Sequence, residues 1–238
     1  MPALRLEVAA AAGIVSAYAA MLVIETLRPA VRRPFDLHWQ ASCLLHFALL
    51  AVVNNGVALA MHRAWPWPPL FDGARLHPLA GVIVGYLAVS LGNAVLHLSL
   101  HRNAWLWRHV HRYHHRPQRL DVGGVMHQSP LEMLANALLF SITTVWLLGL
   151  DRDVVLACGA IAAFYGMFQH LNTATPRWLG PWIQRPEAHS LHHARHVHAW
   201  NYSDFPPWDM LLGTYRSPER FHTDVGIDAQ DADVPTPR

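Results

Sequence analysis

The stretch NAVLHLSLHRNAWLWRHVHRYHH, residues 93–115, decides how this chain must fold. It starts inside an apolar run and ends among charges, placing His97 and His101 four apart and then His111, His114 and His115. On a helix, residues i, i+3 and i+4 lie close on one face, so each set is expected to present its imidazoles together, as a multidentate metal ligand would. EAHSLHHARHVH, residues 187–198, repeats the HxxHH spacing with His189, His192 and His193, and His170 closes another apolar run between the two regions. The chain has 18 histidines. Most fall in the windows 97–127 and 170–198, and this clustering carries more information than the number.

Outward from that stretch, the chain reads as a membrane protein. It is 53% hydrophobic and only 14% charged, against roughly a quarter charged in an ordinary soluble domain. Its formal net charge of +2 implies neither an acidic nor a nucleic-acid partner. Apolar segments at 8–27, 41–61, 79–100, 131–150 and 154–168 approach the length of about 20 residues that a helix needs to cross a bilayer. The last is short and joined to the fourth by Asp151, Arg152 and Asp153 alone, so four or five spans are expected, the final two as a tight hairpin. The first segment runs into Glu25 and Arg28 without a small-residue cleavage site, which marks an uncleaved span rather than a signal peptide.

Basic residues orient the spans. Arg28, Arg32 and Arg33 follow the first segment, and Arg102, Arg108, Arg112, Arg116 and Arg119 follow the third, whereas only Arg63 and Arg75 follow the second. The expected topology puts the N-terminus outside and every histidine cluster on the cytoplasmic side. Trp65 and Trp67 are expected at the outer headgroup zone, and Trp105, Trp107, Trp178 and Trp182 at the inner one, with 177–185 lying along the membrane. The fold class expected is therefore all-α: an integral-membrane helical bundle with a cytoplasmic histidine-rich helical cap. Residues 1–223 form one domain, and the acidic, proline-containing segment 224–238 is expected to be a disordered tail.

Nine histidines, His97, His101, His111, His114, His115, His170, His189, His192 and His193, exceed what one ion can use, so two ions are expected. Nine converging imidazoles without a metal would repel whenever they protonated. Cys43 and Cys158 lie far apart in apolar runs, so nitrogen and oxygen must hold any metal. Imidazole suits iron and zinc alike. His127 is a tenth candidate ligand. His196 is expected beside the ligands or in solvent, His109 and His198 at the surface or interface, and His46 among polar groups between helices.

HxxxH at the end of a membrane helix, LWR at 106–108 before HxxHH, LDV at 120–122, PLE at 130–132, FQHLN at 168–172, and a second HxxHH followed by NY, WD and GTY form an ordered set. Over about residues 90–216 this resembles the fatty acid hydroxylase superfamily, which includes the sterol desaturases. The resemblance implies a membrane non-haem diiron oxygenase that hydroxylates or desaturates a lipid, fatty acyl, sterol-like or related. It further implies the nine histidines as ligands to two ferrous ions, zinc being the alternative occupant, and Asn201, Tyr202, Trp208, Asp209, Gly213, Thr214 and Tyr215 as packing support. O2 and a separate electron donor, whether reductase, ferredoxin or cytochrome, are implied as partners, since the chain has no GxGxxG segment and no cysteine cluster.

The chain departs from the family pattern in three places. Ala94 and Val95 precede His97 and Leu98 follows it, where an aromatic pair and an arginine are usual. The interval from His101 to His111 is one residue longer, with His109 inserted, and Ser129 stands where a histidine often precedes PLE. A carotenoid-type hydroxylase is the alternative within oxygenases. A membrane metal-binding or transport protein is the alternative of another class, and it would place its ligands near the bilayer midplane rather than at one end.

Overall fold

In a computed structural model that describes residues 2–228, the chain is all-helical. Long helices α1 (Pro2–Leu27), α2 (Leu37–Ala64) and α3 (Pro78–Arg102) come first. A short broken helix follows, made of α4 (Ala104–Leu106), a π turn at Trp107–His111 and α5 (Arg112–His115). Then come α6 (Pro130–Ser141), continued by a π turn at Ile142–Leu147, and α7 (Arg152–His170). Two short helices, α8 (Pro186–His192) and α9 (Pro206–Leu212), complete the described residues. Five helices among these residues, counting α6 with its π extension, are long and apolar enough to span a bilayer. The fifth runs over Arg152–His170, longer than its apolar run, because polar residues at both ends continue the helix.

The helices form a curved row in which α1 packs on α7, α7 on α3, α3 on α6 and α6 on α2. Their outer faces stay apolar, with Leu44, Leu45, Val52, Leu79 and Val95 all exposed. A helix that is apolar all round belongs in lipid rather than water. Close approach of α3 to α7 rests on Gly85, one turn after Gly81 in a small-xxx-small pair. A Cβ at Gly85 would sit 2.7 Å from Cys158 Sγ and from Leu150 Cδ1.

At one end the bundle is closed by the 65–77 loop, whose Leu70, Phe71 and Gly73 amides donate to the carbonyls of Trp146, Leu147 and Leu148. Glu7 and Arg152 pair at this end. Trp65 packs edge-on against Trp67 and Trp146. At the other end the 3-10 turn Val122–Met126 plugs the space between α1, α2 and α7. Here Glu25, buried in the last turns of α1, accepts from the amides of Val122 at 3.0 Å and Asn172 at 3.1 Å. One carboxylate thus ties α1 to both the LDV and the FQHLN segments. Asp121 does the same for α2, accepting from Trp39 Nε1 at 3.0 Å and from Arg119 at 2.6 Å.

Two expectations are corrected. The tail does not begin at 224: Val225 and Ile227 are buried, Val225 bridges Ala194, and the Gly226 amide donates to His193 O. Two apolar side chains two residues apart anchor the segment, and the rest of the expected tail, 229–238, lies outside the described residues. Trp107 is not at a headgroup surface. It is 1% exposed and packs against His101, His115 and His198, while Trp105, Trp178 and Trp182 do face outward.

Replacing Glu25 with Ala should orphan two buried amides at a cost of about 1–3 kcal/mol each, whereas Glu25→Gln retains an acceptor. Thermal unfolding in detergent should therefore fall clearly for Ala and less for Gln; equal melting of wild type and Glu25→Ala would dismiss this anchor.

Candidate metal centre

Nine of the ten candidate histidines meet at the end of the bundle closed by the 122–126 turn, and they divide into two groups. One holds His97, His101, His111, His115 and His192; the other holds His114, His170, His189 and His193. Within each group the ligand nitrogens all lie within 4.8 Å of one another.

The division is finer than the expectation that each HxxHH acts as one unit. His111 and His115 join the first group while His114 joins the second; His189 and His193 join the second while His192 joins the first. Helical geometry explains the split, because i+4 lies about 40° to one side of i and i+3 about 60° to the other. Each motif therefore straddles both groups, and the two motifs do so in opposite senses. His97 and His101 on α3 complete one group, and His170 at the end of α7 completes the other.

Hydrogen bonds fix which nitrogen faces inward. His97 Nδ1 donates to Tyr202 O at 2.7 Å, His111 Nδ1 to Glu132 Oε1 at 2.8 Å and His114 Nδ1 to His127 O at 3.2 Å. His170 Nδ1 donates to Gly166 O and His192 Nδ1 to Trp200 O, both at 2.8 Å. These oxygens only accept, so in neutral rings the proton sits on Nδ1 and the Nε2 lone pair points into the cluster. The Nε2 atoms then crowd together: His97 to His111 at 3.0 Å, His111 to His115 at 3.1 Å, His170 to His189 at 3.1 Å, and His189 to His193 at 3.1 Å. The Nε2 of His192 is buried with no hydrogen-bond partner. Converging lone pairs of neutral imidazole repel one another and attract a cation, so the residues fit two metal ions of the kind bound by nitrogen donors.

Protonation is no way out of the crowding. Burial pushes His111 down to about 3. Burial, reinforced by the neighbouring imidazoles, holds His114, His115, His189, His192 and His193 well below the ordinary histidine range.

The closing motif supplies the strap over this cage. Asp209 accepts from the amides of Tyr202 and Ser203, both at 2.8 Å, and from Thr214 Oγ1 at 2.6 Å. Asn201 donates to Ala188 O and accepts from the Arg216 amide, and Gly213 ends α9 in the left-handed region. The strap is itself strained: His196, His198, Trp200 and Asn201 all have positive φ. Such strain persists where surrounding contacts over-determine the backbone. Here it turns the carbonyls of Trp200 and Tyr202 toward two of the histidines.

His127 lies outside both groups. Its ring stacks on Tyr113 at 4.3 Å and contacts Trp39 and His46, while its carbonyl receives His114. His46 bonds Ser42 O and Tyr113, as expected of a polar link between helices, and His109 is exposed. His196 is half exposed beside Asp228. His198 is 3% exposed, with Nδ1 3.2 Å from His115 Nδ1, rather than at a surface. Sequence spacing alone missed His198, since the reversal that buries it comes with the positive-φ residues His196, His198, Trp200 and Asn201. Glu132 was visible only as part of PLE; its burial two residues into α6, beside His111, is what gives it a role. The π turn Trp107–His111 leads into the first HxxHH and takes one more residue per hydrogen-bonded loop than an α turn.

Two outcomes follow from this geometry. Removing the carboxylate in Glu132→Ala should lower metal affinity about 10–100-fold, read by chelator competition; unchanged affinity would show that His111 needs no such partner. In metal-free protein the depressed histidines refuse protons that the unfolded chain takes up below about 6.5. Stability should hold above that pH and fall as pH drops toward the folded value of about 3 for His111. A denaturant midpoint that stays flat from neutral pH down to about 5 would show instead that water reaches the cage.

Comparison with known proteins agrees with this architecture. Residues 82–214, more than half of the chain, match the fatty acid hydroxylase family. An ornithine lipid hydroxylase of Rhizobium tropici is 31% identical over 71% of this chain and 50% of its own length, so the chain spans half of that relative. A very-long-chain aldehyde decarbonylase of Oryza sativa subsp. indica is 25% identical over 79% of this chain and 70% of its own length. Sphinganine C4-monooxygenase 1 of Arabidopsis thaliana is 24% identical over 50% of this chain and 48% of its own. No solved structure matches. On the family match, the ordered motifs and the helical architecture together, the chain belongs to the fatty acid hydroxylase family.

Proposed function

We propose that this protein is an integral-membrane, O2-dependent oxygenase that holds two iron ions in its histidine cage and hydroxylates or desaturates a lipid. The observation that carries the reading is the set of inward Nε2 atoms fixed by outward Nδ1 bonds. Nine histidines, without His127, form the ligand set; His127 supports His114 through its carbonyl and packs against Tyr113. When bound, the two ions supply the redox chemistry that activates O2 toward an unactivated C–H bond.

The protein's own contribution is placement and dryness. Glu132 and the carbonyls of Gly166, Trp200 and Tyr202 hold the Nδ1 protons outward, so these rings cannot flip without losing a hydrogen bond. Trp107 seals the cage behind His101 and His115. Both groups lie at one end of the bundle rather than at mid-span, which favours an enzyme over a transporter. Arg28, Arg32, Arg33, Arg102, Arg108 and Arg112 cluster at the same end, which supports a cytoplasmic cage. The substrate is a membrane lipid, in line with the lipid names of the relatives. Electrons come from a separate reductase, ferredoxin or cytochrome, since the two cysteines are buried singly.

Elemental analysis of protein purified in mild detergent tests the metal. About two irons per chain are expected, with oxidised lipid products in a reconstituted system. Metal-free folded protein, or turnover of carotenoids but no acyl lipid, would defeat the proposal. The split of the motifs sharpens the test. His114→Ala and His115→Ala should each weaken a different site, and the double variant should lose both metals and all turnover. Full metal content in the double variant would remove these residues from the ligand set.

A further inference from the structure

A cavity of about 480 Å³ opens at the histidine end, between the α1–α2 connection and the segment after α5. Its lining carries three arginines, Arg33, Arg116 and Arg119, against an aromatic wall of Trp39, Tyr113 and His127. Arg119 is engaged: it pairs with Asp121 at 2.6 Å and lies over the Trp39 ring at 5.2 Å. Asp36, also in the lining, accepts from the Trp39 amide as the cap of α2. Arg33 and Arg116 are the cations left over. Arg33 gives one terminal nitrogen to Thr223 O, but its Nε is buried with no acceptor, and Arg116 is exposed with no acidic partner among the described residues. A buried guanidinium N–H without an acceptor is costly, and a planar array of such donors matches a phosphate or carboxylate.

The position decides where that anion comes from. The cavity lies where α1 ends and α2 begins, which is the headgroup level for a chain with these spans. Phe35 and Leu37 alternate with the lining residues Pro34 and Asp36 and are 79% and 68% exposed, so the mouth is flanked by apolar side chains that suit lipid. Basic pockets beside membrane helices bind anionic headgroups in this way. The inner wall adjoins the cage, because Tyr113 precedes His114 and His127 O accepts from His114 Nδ1.

We propose that this cavity seats the anionic headgroup, phosphate or carboxylate, of the lipid substrate, with Arg33 and Arg116 as its direct contacts. The inference rests on the lipid-oxygenase reading for the word substrate, but the site is tested by binding alone. The full chain in detergent would be titrated with short-chain phosphatidic acid, phosphatidylcholine or inorganic phosphate and read by native mass spectrometry. Phosphatidic acid should bind at least about tenfold tighter than phosphatidylcholine. The preference should disappear in Arg33→Gln/Arg116→Gln, shrink in Arg116→Gln alone, and survive in Arg63→Gln/Arg75→Gln at the opposite end. Arg116 is exposed, so the single variant reports even where the double variant folds poorly.

Equal binding of the two lipids, or a preference that persists without the arginines, would overturn the proposal. Inorganic phosphate binding as tightly as phosphatidic acid would make this a free-anion site and overturn the lipid assignment. Variants that keep the lipid preference yet lose only donor-driven turnover would show a docking surface for an acidic protein instead. Failure of the oxygenase reading looks different: iron or oxidised products absent while the headgroup preference stays intact.

Discussion

Nitrogen lone pairs crowded in a dry space are the constraint on which the rest of this structure depends. Nine imidazoles drawn from α3, the π turn and α5, the end of α7, and α8 with the residue that caps it would spread apart if left to themselves, or fill with water. They stay because five of the rings, His97, His111, His114, His170 and His192, are each pulled outward by a specific acceptor while the other nitrogen is aimed inward. Four of those acceptors are backbone carbonyls and one is a carboxylate, and further buried carboxylates brace the segments around them. Glu132 holds His111, Asp209 shapes the strap that receives His97 and His192, and Glu187 ties Thr175 and Arg185 beneath α8. Each acid is costly to bury, and each recovers that cost through amides, hydroxyls or a guanidinium that would otherwise go unbonded.

Lipid supplies the second half of the arrangement. The five long helices have little polar surface with which to specify their neighbours, so small residues such as Gly85 and end-of-helix polar contacts do that instead. Glu25 is the instructive case. It sits at the end of an otherwise apolar helix, and its two bonds join that helix to the loops carrying the LDV and FQHLN motifs. Helix packing and site geometry are thus joined through the same polar atoms.

Much of this was legible in the sequence. Apolar run length marked the spans, and the echoed HxxHH marked the cage, because both signals are local and periodic. The two-to-one division of each triad between the two groups was not legible, since it depends on how α5 and α8 are turned toward each other. His198 looked superficial because nothing local announces four non-glycine residues with positive φ between His196 and Asn201. Trp107 looked like an interfacial anchor because its neighbour Trp105 is one, and only the widened π turn rotates it inward. Val225 and Ile227 were lost in an acidic segment whose average composition hid two apolar anchors.

The π turn before His111 bears on how such a chain tolerates changes of length. Inside HxxHH, the screw of the helix acts as a ruler, and one residue more or less would throw the imidazoles out of both groups at once. Ahead of the motif, the backbone gives up one hydrogen bond of ordinary register, widens, and returns to the same phase by Arg112. His109 is left on the outside, and the rings of His111, His114 and His115 keep their places in the two groups. Slack of this kind lies outside the HxxHH spacing that assigns the imidazoles to the two groups.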